Sequence, residues 1–275
     1  MSQFSYTKLF DLSGKVSVVT GGAGILGSHF CKALAEAGSK VAIVDVNKDA
    51  LAPLEAEINE RWKNSCIAIV ADITRPSEVR RTVDSVVNRF GSIDVLHNNA
   101  ASKGSNLDTY FDSFENYTIE QWREIMIANV DSMFLMAQAV GIQMKKQGRG
   151  GSIIQTASAY GIMAPDQRIY EGSWYMNRQI NTPAVYSTSK AAVVGLSKFL
   201  ATYWADHNIR VNTLVPGGAE SGQNDEFKRR YGARVPLGRM AQPSEIVGAV
   251  LYLASDASRY VTGHSLVVDG GLHAW

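Results

Sequence analysis

Seven short, nearly continuous apolar runs are spaced along the chain, most of them rich in Val and Ile. They are VSVVT ending at Thr20, VAIVDV (41–46), IAIV (67–70), IDVLHN (93–98), SIIQTA (152–157), IRVNTLV (209–215) and SLVVD (265–269). Runs this short with apolar residues on both faces predict strands buried on both sides of a sheet. Between them lie longer stretches with apolar residues at helical spacing, among them 25–38, 76–91 and 244–256. Strand and helix therefore alternate, which predicts right-handed crossovers and a mostly parallel, doubly wound α/β sheet covered by helices on both faces. In such a sheet the ligand crevice lies outside the carboxyl ends of the strands, so functional residues are sought just after each strand. No repeat, low-complexity tract or linker divides residues 1–275, so one domain is expected.

Composition narrows the function classes. The 27 basic and 26 acidic residues nearly cancel, so no global field favours nucleic acid or an anionic membrane. No apolar run behind a basic N-terminal segment and no long uninterrupted apolar stretch is present, and a soluble cytoplasmic protein is expected. Cys31 and Cys66 stand far apart, and neither belongs to a C-x-x-C pair. Buried thiols are expected, with neither a disulfide nor a metal site.

The first strand runs into TGGAGILG, and a helical stretch follows with Leu26, Phe30 and Leu34 at apolar spacing. Glycines between a strand and a helix allow a tight turn and close approach of a pyrophosphate, whose charge the helix amides would meet. The second strand ends at Asp45, followed by Val46 and Asn47. A carboxylate there would accept hydrogen bonds from an adenosine ribose and repel a 2′-phosphate, so NAD is expected in preference to NADP. The bland alternative is that Asp45 caps the helix beginning near Asn47. Asp72-Ile73 after the third strand, and Asn98-Asn99-Ala100-Ala101 after the fourth, are further candidates for the cofactor floor.

A 22-residue stretch, IYEGSWYMNRQINTPAVYSTSK (169–190), contains three tyrosines, and only Tyr186 has a lysine four positions on. Residues i and i+4 share one face of a helix, and 184–206 has helical character, so Lys190 would stand beside Tyr186. A neighbouring cation favours the phenolate that a general base requires, and the same phenol can return the proton to a forming alkoxide. Tyr160, Tyr170 and Tyr175 have Ala164, Trp174 and Gln179 at that position and fail the test.

Taken together, TGGAGILG, Asp45, Asp72, NNAA, Asn129 in IANVDSMF, Ser158 in IIQTASAYG, YSTSK, RVNTLVPGG and VTGHSLVVDGG resemble the classical branch of the short-chain dehydrogenase/reductase family, over roughly residues 12–272. The resemblance implies a Rossmann-type fold and a catalytic set of Asn129, Ser158, Tyr186 and Lys190. Tyr186 would be the acid/base and Lys190 would lower its pKa while holding the nicotinamide ribose. Ser158 would polarise the substrate oxygen, and Asn129 would interrupt its helix to hold a water joining Lys190 to solvent. The cofactor set it implies is Gly21, Gly24, Ile25, Leu26, Asp45, Val46, Asp72, Ile73, Asn99, Ala100, Tyr186, Lys190, Pro216 and Gly217. A homo-oligomer, with a tetramer favoured, is implied in the same way.

Departures from the family pattern are a few single positions and two lengthened segments. Ile25 stands where the family carries its middle glycine, and Gly24 supplies one instead; that spacing is shared with the extended branch, against which the YSTSK and VVDGG contexts argue. Ala101 replaces the last glycine of N-N-A-G, and Gly218-Ala219 stand where a threonine is usual. Ser158 and Tyr186 are 28 positions apart, farther than is common in the family, because an extra loop, 164–184, intervenes; a second lengthened segment, 102–118, follows the fourth strand. Long loops flanking a catalytic pair are expected to face substrate, or alternatively to make subunit contacts. Ser158 and Tyr186, with Tyr170, Glu171 and Arg178, are therefore the expected substrate contacts. Their polarity, with that of Lys103, Asp108, Arg168 and Gln179, favours a sugar, polyol or sugar acid over a steroid or acyl chain. The wording A-P-D-x-R-I-Y-E-G resembles a subgroup associated with bacterial carbohydrate and surface-glycan metabolism. A 3-oxoacyl-carrier-type reductase and a non-catalytic NAD-binding sensor are the rival readings.

Overall fold

The computed structural model describes residues 5–175 and 177–275, and the side chain of Tyr175 is left out. Residues 1–4 of the expected domain and Met176 of the expected loop lie outside the described residues. All seven apolar runs form one parallel sheet, in the spatial order Cys66–Val70, Lys40–Asp45, Val16–Thr20, Val95–Asn98, Gly151–Thr156, Ile209–Pro216, Ser265–Val268. Its strands are β1 (Val16–Thr20), β2 (Lys40–Asp45), β3 (Cys66–Val70), β4 (Val95–Asn98), β5 (Gly151–Thr156), β8 (Ile209–Pro216) and β9 (Ser265–Val268). The strand order reverses between β1 and β4, which opens the crevice that the alternation predicts.

Helices α1 (Ile25–Glu36), α2 (Lys48–Arg61) and α3 (Pro76–Phe90) make the first crossovers. A short α4 (Leu107–Tyr110) lies within the lengthened segment after β4, and α5 (Ile119–Met126) runs through a π turn (Ile127–Asp131) into α6 (Ser132–Gln147). The 119–147 run is long and apolar enough to cross a membrane by length and composition, yet Met133, Met136, Val140 and Met144 on it are fully buried in the domain. The stretch carrying Tyr186 and Lys190 is α7 (Ala184–Tyr203), and α8 (Asp225–Gly232) and α9 (Val247–Ala254) follow β8. One core layer packs α3, α6 and α7 residues such as Val86, Val140 and Leu200 on the sheet; the other packs Phe30, Leu34, Ile246 and Val250 on its opposite face. Burial on both faces is the reason the strands read as continuous apolar runs rather than alternating ones.

The extra segment between β5 and α7, expected as a loop, contains a small antiparallel hairpin, β6 (Trp174–Tyr175) and β7 (Arg178–Gln179). Its base is held in the core by Ile169 and Tyr170, which are buried against Phe227 and Tyr231 of α8.

Candidate active site

The glycine turn is tight for steric reasons. Gly21 has φ +60°, and a Cβ there would lie 2.7 Å from the Ala100 Cα; one on Gly27 would lie 2.1 Å from the Gly21 carbonyl oxygen. Only glycine lets α1 press onto the turn at that distance. Thr20 Oγ1 accepts from the amides of Asn99 (3.0 Å) and Ala100 (3.2 Å), while Asn99 Nδ2 donates to the carbonyls of Thr20 and Gly21. Asn99 thus stitches β4 to the glycine turn. Gly24 is the N-cap residue of α1 and Ile25 its first residue, more than half exposed. Ile25 and Leu26, with Asn99, Pro216 and Gly217, line one end of a cavity that also contains the catalytic candidates.

The carboxylate of Asp45 accepts from the amides of Ala23 and Asn47, each at 3.0 Å. The bland reading of Asp45 as a helix cap is therefore corrected: the cap of α2 is Asn47, whose side chain accepts from the Ala50 amide. Asp45 instead braces the glycine turn, and its half-exposed position beside exposed Val46 suits it to a ribose. Asp72 is held by Thr74, whose hydroxyl donates at 2.6 Å, and by Arg75 at 3.1 Å. The Thr74 hydrogen bond, with the Arg75 charge, holds its carboxyl below the usual range. Ile73 is buried in the core, so only its backbone remains for a ligand.

Burial dominates the electrostatics of the Tyr186–Lys190 pair. Lys190 is buried, its Nζ donates to the Thr156 carbonyl at 3.0 Å, and it lies 6.0 Å from the Tyr186 ring centre. Desolvation pushes its pKa down to about 8. The Tyr186 phenol is pushed up by burial, with the hydrogen bond to Ser158 pulling the other way. The expected lowering of Tyr186 by Lys190 is thus not the dominant effect in the chain by itself: desolvation outweighs it. Ser158 also accepts from the Tyr160 amide at 3.3 Å. Asn129 sits in the π turn, fully buried; its Oδ1 accepts from the Ser102 amide at 2.7 Å and its Nδ2 donates to Ser189 Oγ at 3.5 Å. The alternative reading of Asn129 as a water-exposed mid-helix residue is overturned by that burial.

Ser158, Tyr186 and Lys190 share one cavity of about 500 Å³ with Tyr170. Glu171 and Arg178 are placed elsewhere. Glu171 pairs with Arg230 of α8 at 3.0 Å and Arg178 pairs with Asp108 of α4, and neither lines the cavity. Tyr170 is a wall residue: its ring stacks on Phe227 with centres 5.4 Å apart and its hydroxyl bonds Thr182. Sequence reasoning missed the far wall, where Phe227, Tyr231 and Met240 descend from the α8 region and Tyr110 and Phe111 from α4. The available signal was Phe227 and Tyr231 at i and i+4 in an otherwise charged helix. Among the described residues the cavity's only formally charged side chains are Lys103 and Lys190, and no group of three or more metal-ligating side chains occurs.

A family model described as short chain dehydrogenase matches residues 15–232. The chain belongs to the short-chain dehydrogenase family. It is 34% identical over 273 residues to a sorbose reductase of Candida albicans, covering 96% of this chain and 88% of that protein. Among solved structures it resembles a short-chain dehydrogenase from Leptospira borgpetersenii with bound NAD+, with TM-score 0.84 and 32% identity over 99% of this chain and 97% of that one. It also resembles a gluconate 5-dehydrogenase from Burkholderia cenocepacia in complex with NADP and tartrate, with TM-score 0.85 and 30% identity over 98% and 100% of the two chains.

Proposed function

We propose that the chain is an NAD-dependent oxidoreductase that interconverts a secondary alcohol and a ketone, or a hemiacetal and a lactone, on a sugar, polyol or sugar acid. The observation that carries this reading is the meeting of Ser158, Tyr186 and Lys190 in one cavity that also reaches Ile25 and Leu26, the residues that start α1 just after the glycine turn. The turn fits a dinucleotide: it is free of side-chain bulk at Gly21 and opens onto the start of α1. The bound nicotinamide would accept or supply the hydride. Tyr186 would take the alcohol proton in oxidation and return it in reduction, and Ser158 would hold the substrate oxygen beside the phenol. Because burial raises the Tyr186 pKa, an ammonium at Lys190 is the group that would favour its ionisation once water is excluded.

Asp45 supports NAD. One of the solved relatives carries NAD+ and another NADP, and a carboxylate at the end of β2 would repel a 2′-phosphate. The sorbose and gluconate chemistry named for two relatives supports a polyhydroxylated substrate. A homo-oligomer, with a tetramer favoured, is supported by exposed Ile127, Phe134 and Ile142 on the α5–α6 run and by Phe199 and Tyr203 on α7. A cytoplasmic setting is supported by two free, buried thiols, Cys31 and Cys66. Steady-state assays with NAD and NADP against sugars, polyols, aldonates, hydroxy acids and acyl thioesters test the reading. Turnover of a polyhydroxylated substrate with NAD is expected; a preference for NADP or for acyl thioesters would overturn it.

A further inference from the structure

The two lysines that line the Tyr186 cavity have different occupations. Lys190 is buried, donates to the Thr156 carbonyl at 3.0 Å and serves the proton chemistry proposed above. Lys103 has no part in that chemistry, yet it lines the same cavity of about 500 Å³ as Ser158 and Tyr186. The rest of the wall offers neutral hydrogen-bonding groups, such as the phenols of Tyr160 and Tyr231 and the carboxamides of Gln223 and Asn224. No Asp, Glu or Arg occurs among the described lining residues, so the cavity carries positive charge only.

The backbone around Lys103 is fixed on both sides. The Ser102 amide donates to Asn129 Oδ1 at 2.7 Å, the Gly104 amide to Ser102 Oγ at 3.0 Å, and the Ser105 amide to Glu124 Oε1 of α5 at 2.8 Å. Gly104 turns the chain there with φ +81°, a conformation that L side chains rarely adopt. The lysine stem therefore leaves a short, pinned arc. Its Nζ lies 5.9 Å from the centre of the Phe111 ring, and the Phe111 carbonyl accepts from Asn181 Nδ2 of the 164–184 segment at 2.8 Å. The ammonium thus stands beside the junction of the two lengthened segments. Although much of the Lys103 surface is exposed, partial burial of its ammonium lowers its pKa from the ordinary value. A cation partly withdrawn from water gains from an anionic partner, which an aromatic face alone does not supply. A single ammonium is a point charge that matches a monoanionic carboxylate; a phosphate dianion calls for more than one such group.

We propose that Lys103 is a specificity-determining residue that pairs with a substrate carboxylate, so that the chain acts on a sugar acid in preference to a neutral sugar or polyol. The reaction rests on the oxidoreductase reading; the carboxylate site does not. The test is steady-state kinetics on the full chain with NAD, using matched pairs of aldonates and alditols that share one carbon skeleton and configuration, beside sugar phosphates. Aldonates should exceed their alditols in kcat/KM by about tenfold or more. Lys103→Met should lower that preference by about 10–100-fold, chiefly through KM for the aldonate, and Lys103→Arg, which keeps the charge, should restore most of it. KM for NAD, followed in parallel, reports any role of Lys103 at the cofactor.

Ligand-observed NMR of the NAD-loaded chain with the same aldonates needs no turnover. Binding should weaken in Lys103→Met and return in Lys103→Arg. A chain that oxidises none of the panel but binds aldonates through Lys103 would sink the oxidoreductase reading and support the carboxylate site. A chain that turns over alditols as well as or better than aldonates would do the reverse. The proposal is equally overturned if Lys103→Met keeps the parent's aldonate preference, if sugar phosphates bind more tightly than aldonates, or if Lys103→Met raises KM for NAD and not for the aldonate. Absence of both turnover and aldonate binding would overturn both readings.

Discussion

The floor of the active site and its rim are held by different physics. Floor residues sit at strand ends, in the π turn or on α7, and are fixed by contacts with the backbone: Lys190 to the Thr156 carbonyl, Asn99 to the glycine turn, Asp45 to the Ala23 amide, Asn129 to the Ser102 amide. The rim, built by 102–118 and 164–184, is tied largely by pairs of long charged side chains: Arg178 with Asp108, Arg230 with Glu171, Arg234 with Asp166. Buried contacts to backbone leave a side chain one place to be, whereas exposed ion pairs contribute little and exchange readily. The difference suggests that reaction type is written in the floor, where change is costly, and substrate choice in the rim, where it is cheap.

Substitutions that break the floor should have the larger effects. Tyr186→Phe should lower kcat by about 10²–10⁴-fold through loss of acid/base chemistry, with cofactor affinity retained, as steady-state kinetics and cofactor titration would show. Gly27→Ala forces a methyl group to 2.1 Å from the Gly21 carbonyl oxygen. It should cost about 1–3 kcal/mol of stability and weaken dinucleotide binding, read by denaturant unfolding and fluorescence titration. Asp45→Ala should relax the preference for NAD over NADP, measured as the ratio of kcat/KM for the two, while also loosening the turn that its carboxylate braces.

Lys190 gives a pH test with a definite sign. Its folded pKa, about 8, lies below the ordinary 10.5. The unfolded chain therefore binds the extra proton between those values, and stability rises with pH across that window. Below about pH 8 the folded chain carries a desolvated ammonium, a penalty on the order of 1–3 kcal/mol that Lys190→Met removes. Lys190→Met should thus be nearly inactive, and its Tm relative to the parent should fall steadily from pH 8 to 10.5. At the rim, Arg178→Ala should change stability by no more than about 1 kcal/mol and leave kcat intact, raising KM a few-fold as the two segments loosen.

The same division explains what could be read in the sequence. The seven strands were legible because burial on both faces forces continuous Val/Ile runs, and every one lies in the main sheet. Gly21 and Asp45 were read from the strand–turn–helix context and Tyr186 and Lys190 from helical spacing, whereas Asn129 and Ser158 were singled out only by the resemblance to the family. Glu171 and Arg178 were expected at the substrate and instead pair with Arg230 and Asp108, 59 and 70 positions away. No local spacing encodes which distant charge an exposed side chain meets. The hairpin at 174–179 was hidden because two-residue strands are too short to show a period. Phe227 and Tyr231 were overlooked because five charged neighbours in α8 made the helix look like solvent-facing surface.

The most direct test compares Tyr186→Phe and Arg178→Ala on one polyhydroxylated substrate with NAD, resolving kcat from KM for each. Floor chemistry and rim selectivity predict that Tyr186→Phe loses kcat with KM little changed, and that Arg178→Ala keeps kcat and raises KM. A Tyr186→Phe enzyme that turns over at the parent rate would contradict the account.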